Sequence, residues 1–229
     1  MKINNAVIMA AGVSSRFYPN STAHKALLSV KGEVLIERQI KQLRESGISE
    51  IIVVGGHLIE QFNYLKEKFG VILLENKDYL TVNNCSSILT AEPYLHNSYI
   101  CSCDNYFTVN PFEAFVDEGY YAVVFSHGIT KEYCVDVDEQ GYINTVTIGG
   151  QNRWYMMGHA FLTHDFSQKF LALIKANYNT PIVREQVWES LFAQNLDILK
   201  LKIRKYNLHD IFEIDTLEDL YILERTELK

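Results

Sequence analysis

Short runs of apolar residues alternate with stretches in which apolar residues recur every three or four positions, and this alternation sets the expected order of elements in the first half of the chain. Ala6–Ala10 reads as a strand, and Leu35–Glu45 places Ile36, Ile40 and Leu43 on one helical face. The order then repeats. Ile51–Val54 is a β-branched run ending at Gly55-Gly56, followed by Leu58, Phe62, Leu65 and Phe69 at helical spacing, and then by a strand over Val71–Leu74. A helix is expected over Ser86–Leu95, and a further strand over Ser98–Cys103 that stops at Asp104-Asn105. Strands that are apolar throughout, rather than alternating, point to a parallel sheet covered on both faces. Functional groups then belong at the carboxyl ends of the strands.

Beyond about residue 120 the rhythm changes. Tyr121–Phe125, Tyr133–Val137 and Tyr142–Ile148 are closely spaced strand patterns, with Asp138–Gly141 as a turn, so antiparallel pairing is expected there. Helices over Asp165–Asn177 and Arg184–Gln194, a strand over Ile198–Ile203 and a last helix after Asp215 complete the reading. No Pro/Gly/Ser-rich linker or internal repeat divides the chain. The expectation is one domain over residues 1–229, a three-layer α/β/α fold with a Rossmann-like, mixed but mostly parallel sheet.

Composition narrows the function classes. The 229 residues are 48% hydrophobic, and the net charge of −7 argues against a nucleic-acid partner, which needs clustered cations to neutralise phosphates. Cys85, Cys101, Cys103 and Cys134 show no CxxC spacing and read as reduced, small core residues. No basic-then-apolar leader and no apolar run of ~20 residues is present, so a soluble, cytoplasmic protein without membrane insertion is expected.

Candidate chemistry starts with Val7-Ile-Met-Ala-Ala-Gly-Val-Ser-Ser-Arg-Phe-Tyr-Pro19, followed by His24-Lys25. Small residues after a buried strand let backbone N–H groups approach a triphosphate, and Arg16 and Lys25 can neutralise charge that develops during transfer. A plain glycine turn with two surface cations is the alternative. The run lacks the GxxxxGK[ST] of a Walker loop and the third glycine of a GxGxxG dinucleotide motif. What remains, A-A-G-x-x-S-R-F-x-P with a lysine nine positions after the arginine, resembles the signature of the nucleotidyltransferase superfamily of sugar-phosphate and alcohol-phosphate enzymes. That resemblance implies catalytic roles for Arg16 and Lys25, and nucleotide contacts from Ala10, Ala11, Gly12, Val13, Ser14 and Ser15. The chain departs from the pattern at Ser14, where a glycine is usual, and at His24, where a proline precedes the lysine; loss of that proline is expected to loosen the approach to Lys25.

Two aspartates follow apolar strands, Asp104 and Asp215. Mg2+ takes hard oxygen ligands, few of them from protein, with substrate phosphates and waters supplying the rest. Both positions match the metal-binding aspartates of the superfamily, so the resemblance implies Mg2+ as cofactor. The alternatives are a turn at Asp104-Asn105 and a capping box, Asp215-Thr-Leu-Glu218, opening the last helix.

Similarity to bacterial CTP:phosphocholine cytidylyltransferases extends over nearly the whole chain, carried by Leu35–Ile40, Glu60–Gly70, Asn83-Asn84 with Ser87, Asp104–Tyr106 and Glu213–Asp215. It implies CTP and a small phosphorylated amino alcohol as partners, with base or ribose contacts from Asn83, Asn84 and Ser87; helix capping is their alternative. A quaternary ammonium has no N–H and is recognised by aromatic faces and carboxylates. Tyr133, Glu185, Trp188 and Glu213 are the substrate-binding candidates, with core packing as the alternative for the aromatics, Trp154 and Tyr155 among them. Tyr133 stands where the family has tryptophan, which keeps phosphoethanolamine and 2-aminoethylphosphonate open as acceptors. A sugar-1-phosphate enzyme and a catalytically silent nucleotide-binding domain are the competing readings. A phosphate dianion needs no base to attack phosphorus, so His57, His127 and His159 are left without a catalytic role.

Overall fold

The computed structural model describes residues 1–13 and 23–227. Arg16, Ser14 and Ser15 therefore lie outside the described residues. The first strand, β1 (Asn5–Ala10), is followed by a 3-10 turn at Lys25–Leu27, a small hairpin of β2 (Ser29–Val30) and β3 (Glu33–Val34), and helix α1 (Leu35–Glu45). Next come β4 (Ile51–Gly55), a 3-10 turn leading into α2 (Asn63–Phe69), β5 (Ile72–Glu75), α3 (Cys85–Thr90) and β6 (Ser98–Ser102). Strands β5, β4, β1 and β6 lie side by side in parallel.

Alternate residues of β1 serve opposite faces. Val7 packs with Ile52, Val54 and Ile100 on one side of the sheet, while Ala6, Ile8 and Ala10 pack with Ile36, Ile40, Leu43 and Phe62 on the other. That two-sided burial is why these strands read as unbroken apolar runs. Ala10 is thus a core residue, with its side chain packed against α1 and its neighbours.

The second half continues with β7 (Asn105–Phe107), β8 (Tyr120–Phe125), β9 (Ile129–Val137), β10 (Ile143–Gln151) and β11 (Trp154–Leu162). Strand β11 runs antiparallel to both β6 and β8, joining the parallel half to the antiparallel half. Helices α4 (His164–Asn177), α5 (Pro181–Arg184) and α6 (Trp188–Ala193) precede β12 (Lys202–Tyr206), β13 (Ile211–Glu213) and α7 (Leu217–Arg225). The described residues form one nine-stranded mixed sheet with helices on both faces, as expected.

Three local expectations are corrected. The helix expected over 184–194 is broken at Glu185, which closes α5, and restarts at Trp188. The strand placed at 198–203 forms over Lys202–Tyr206, parallel to β8. The capping box at α7 is made by Thr216 and Asp219, whose side chains each accept from the other residue's backbone N–H. Asp215 is therefore not the cap. The two-stranded sheet of β13 and β7 was not foreseen; it pairs Glu213 with Asn105 and so draws the end of the chain against the Asp104 turn.

Candidate active site

The carboxyl ends of β1, β4 and β6 meet at one edge of the sheet. Ala10 is in register with Gly55, and Met9 with Ser102, so Gly12, Gly56 and Asp104 emerge close together. The approach is tight at Gly56, where a Cβ would lie 2.8 Å from the Tyr79 ring and 2.9 Å from the Ala11 carbonyl oxygen. Only glycine fits there without a shift of the Ala11 backbone. The resulting cavity of about 310 Å3 is lined by Ala11, Gly12, Lys25, Asn76, Tyr79 and Ser87, among others.

Lys25 is presented by a short 3-10 turn that His24 caps. The Ala26 N–H donates to His24 Nδ1 at 3.1 Å, so Nε2 carries the proton and donates to the Gly12 carbonyl, also at 3.1 Å. Burial pushes the His24 pKa down to about 4, assisted by the neighbouring charges of His57 and Lys25 and opposed by the Gly12 carbonyl. The histidine is neutral at pH 7 and uses both ring nitrogens to tie the glycine turn to Lys25. Histidine at this position thus links the Gly12 carbonyl to the turn that presents Lys25.

Lys25 Nζ lies 2.7 Å from Asp104 Oδ2 and 2.9 Å from Asp215 Oδ1. Burial opposes the ammonium charge, but the Asp104 and Asp215 carboxylates outweigh it and hold the lysine pKa above its usual value. Glu213 joins the cluster from β13. Burial, then repulsion from Asp104, Asp215 and Glu132, holds its carboxyl well above the usual carboxylate range. Oxygens of Asp104, Glu213 and Asp215 lie within 4.8 Å of one another. Asp104 Oδ1 is buried without a hydrogen-bond partner. A hard donor set with one buried oxygen still lacking a partner fits a divalent cation with phosphate and water as its other ligands.

A second cavity of about 260 Å3 lies on the other side of this cluster and shares Lys25, Asn84, Ser102, Asp104 and Asp215 with the first. Its walls include Tyr121, Glu132, Tyr133, Glu189 and Glu213. Tyr121 donates to Glu189 at 2.7 Å, and Tyr133 is hydrogen-bonded to Ser190 at 2.7 Å. Burial raises the Glu189 pKa to about 7, against the lowering effect of the Tyr121 hydroxyl and the Asn84 amide. Asn84 Oδ1 accepts from the Trp188 N–H at 2.7 Å, which leaves the amide nitrogen for Glu189. At Gly158 (φ +98°) β11 bulges away from β8, and a Cβ there would meet Ile211 at 3.0 Å.

The structure sorts the residues singled out in the sequence. Lys25, Gly12, Ala11, Asn83, Asn84, Ser87, Asp104 and Asp215 line the first cavity; Tyr133 and Glu213 line the second. Asn84, the N-cap of α3, makes no side-chain capping hydrogen bond, while Asn83 Oδ1 accepts from the Asn84 N–H at 2.7 Å. Trp188 is 2% exposed, stacks on Tyr121 at 5.4 Å and packs against Phe170, so it is a core residue and not a ligand contact. Glu185 is exposed, lines neither cavity, and offers only its backbone carbonyl to Asn83. Val13 is likewise exposed and outside the lining. The carboxylate that does reach the second cavity is Glu189, one position past Trp188: on a helix, a residue next to a core-facing one points about 100° away. Tyr121 was missed because it sits in an apolar strand run; its ring stacks on Trp188, and the residue also lines the second cavity. His159 is fully buried among Tyr99, Phe107, Phe112 and Tyr120 and is structural.

A family model for the MobA-like NTP transferase domain matches residues 6–135, the part that carries the glycine turn, Lys25 and Asp104. The chain belongs to this family. The transferase is 31% identical to choline-phosphate cytidylyltransferase of Streptococcus pneumoniae, over 96% of each chain. It is also 31% identical to 2-aminoethylphosphonate cytidylyltransferase of Lancefieldella rimae, over 94% of this chain and 90% of the relative. The solved structure of CTP:phosphocholine cytidylyltransferase from S. pneumoniae superposes with a TM-score of 0.91 and 30% identity, covering 98% of both chains. The protein is a nucleotidyltransferase of the nucleotide-diphospho-sugar transferase fold. No helix among its described residues is long and apolar enough to cross a membrane.

Proposed function

We propose that the protein is a Mg2+-dependent cytidylyltransferase that moves CMP from CTP to a small amino-alcohol phosphate, phosphocholine foremost, releasing pyrophosphate. The observation that carries this reading is the pair of cavities meeting at Lys25, Asp104 and Asp215, the second walled by three carboxylates and two tyrosines. A triphosphate in the first cavity meets the glycine turn and Lys25. An acceptor in the second can direct its phosphate to the same shared wall while its cationic end faces Glu132, Glu189 and Glu213. Both tyrosine hydroxyls are engaged by protein partners, so Tyr121 and Tyr133 are left to offer ring surface, which suits a quaternary ammonium.

An acceptor phosphate oxygen bonds to the α-phosphorus while the bond to the β-phosphate oxygen breaks and pyrophosphate departs. The dianion needs no base, and what the chain must supply is alignment and countercharge. Lys25 lies where negative charge accumulates, and Asp104 and Asp215, with Glu213 beside them, would hold Mg2+. When bound, that ion neutralises charge on the phosphates as the pentavalent arrangement forms. The names of the relatives support cytidylyl transfer, and they include both a choline-phosphate and an aminophosphonate enzyme.

The test is pyrophosphate release across CTP, UTP, ATP and GTP against phosphocholine, phosphoethanolamine, 2-aminoethylphosphonate and hexose-1-phosphates, with Mg2+ and with EDTA. The expected result is release with CTP and phosphocholine, abolished by EDTA. Preference for UTP and a hexose phosphate would replace this reading with sugar activation, and no release with any pair would indicate a silent nucleotide-binding domain.

A further inference from the structure

Helix α1 is apolar toward the sheet, with Ile36, Ile40 and Leu43 in the core, yet it also buries the amide of Gln39, which is 1% exposed. Gln39 Nε2 donates to the Ser102 carbonyl at 2.8 Å and to the Asn105 carbonyl at 2.7 Å. Those two carbonyls bracket Cys103-Asp104, the two-residue turn between β6 and β7. The amide oxygen gains nothing in return: Gln39 Oε1 is buried without a hydrogen-bond partner. An orphaned buried acceptor is destabilising, a cost that an apolar side chain at this position would not incur.

We infer that Gln39 is a positioning residue: by clamping both sides of the Cys103-Asp104 turn, it fixes the direction in which the Asp104 carboxylate meets the metal. This rests on the reading of Asp104 as a metal ligand. Mg2+ demands near-ideal octahedral geometry at 2.0–2.1 Å, so a carboxylate on an unclamped turn loses affinity before it loses its place in the fold. Groups that orient metal ligands typically contribute 10–100-fold in metal affinity. A built-in control lies one helical turn on. Gln42 is also a buried amide with an orphaned oxygen, but it donates to the Phe107 carbonyl at 3.1 Å, at the far end of β7.

The experiment measures Mn2+ binding by electron paramagnetic resonance, with CTP present and no acceptor, together with the Mg2+ concentration for half-maximal turnover and the melting temperature. Gln39→Met and the shorter amide Gln39→Asn are compared with Gln42→Met and with Asp104→Asn. The expected result is metal binding weakened about tenfold or more in both Gln39 variants and unchanged in Gln42→Met at comparable loss of stability. Because Gln39→Asn retains an amide, it serves as the measurable variant should Gln39→Met not fold. Equal weakening in Gln42→Met, or wild-type metal binding in the Gln39 variants while Asp104→Asn loses it, would overturn the role of Gln39 alone. Wild-type binding in Asp104→Asn would overturn the metal reading and the positioning role with it.

Discussion

Replacing Glu189 by glutamine should make the protein more stable and a worse enzyme, and the two effects should share one pH window. In the folded protein burial holds the Glu189 carboxyl at about 7 instead of the ordinary 4.5. Below pH 4.5 the group is protonated in both folded and unfolded chains and makes no difference. Between 4.5 and 7 the unfolded chain releases a proton that the folded chain keeps, so stability falls as pH rises, and above 7 the full penalty is present. At about 1.4 kcal/mol per pH unit that penalty is about 3 kcal/mol. Glutamine at 189 keeps an acceptor for the Tyr121 hydroxyl, 2.7 Å away in the wild type, and removes the charge. Denaturant melts should therefore show Glu189→Gln more stable by up to about 3 kcal/mol at pH 8 and indistinguishable from wild type at pH 4.5. A carboxylate and an ammonium ~5 Å apart attract by about 3 kcal/mol at an effective dielectric near 20. Even partial loss of that attraction should raise the phosphocholine KM about tenfold at pH 8, with the CTP KM unchanged. Relative to the variant, wild-type kcat/KM for phosphocholine should climb through pH 7 as Glu189 ionises. A variant destabilised at pH 8, or one with an unchanged acceptor KM, would refute the placement of this charge in the acceptor cavity.

Three further outcomes follow from the same geometry. Lys25→Ala should lower turnover by roughly 10²-fold or more while the protein stays folded, the usual loss when a preorganised electrostatic group is removed; single-turnover kinetics with CTP in excess would check this. Trp188→Ala should cost about 3–5 kcal/mol of stability in a denaturant melt, and below its melting point the phosphocholine KM should change far less than in Glu189→Gln. His24→Ala removes both the Gly12 and the Ala26 hydrogen bonds, so kcat should fall and the CTP KM should rise; His24→Asn, which retains an amide cap for Ala26, should recover part of the loss, as steady-state kinetics would show.

The first half of the fold was legible because β1, β4 and β6 are buried on both faces, and such strands are unbroken apolar runs. The glycine turn and Asp104 were legible for a related reason, since each stands where such a run ends, whereas Lys25 was legible from its spacing of nine positions after Arg16. Asp215 could be singled out, but its partnership with Asp104 depends on β13 and β7, three-residue strands too short to leave a periodic trace. The acceptor cavity was harder to read. An indole beside acidic residues in a helical stretch suggests a cation box, yet Trp188 is the wedge between α6 and the sheet, and the helix stops at Glu185, whose side chain is exposed. Reading Trp188 as core would have pointed to Glu189. His24 could not have been read at all, because its effect depends on the Gly12 carbonyl and the Ala26 N–H facing its two ring nitrogens.

The pairing of β13 with β7 also imposes an order in time. The glycine turn, Lys25 and Asp104 lie in the part of the chain that leaves the ribosome first, whereas Glu213 and Asp215 arrive with β13 and reach the cluster only when that strand docks. Until then Lys25 faces one carboxylate instead of two, and the acceptor cavity lacks a wall. A chain in which β13 has not docked has only Asp104 of the three clustered carboxylates in place. A cut just ahead of residue 211 would divide the residues of the cluster, leaving Lys25 and Asp104 on the piece that carries all nine strands of the large sheet and Glu213 and Asp215 on the other.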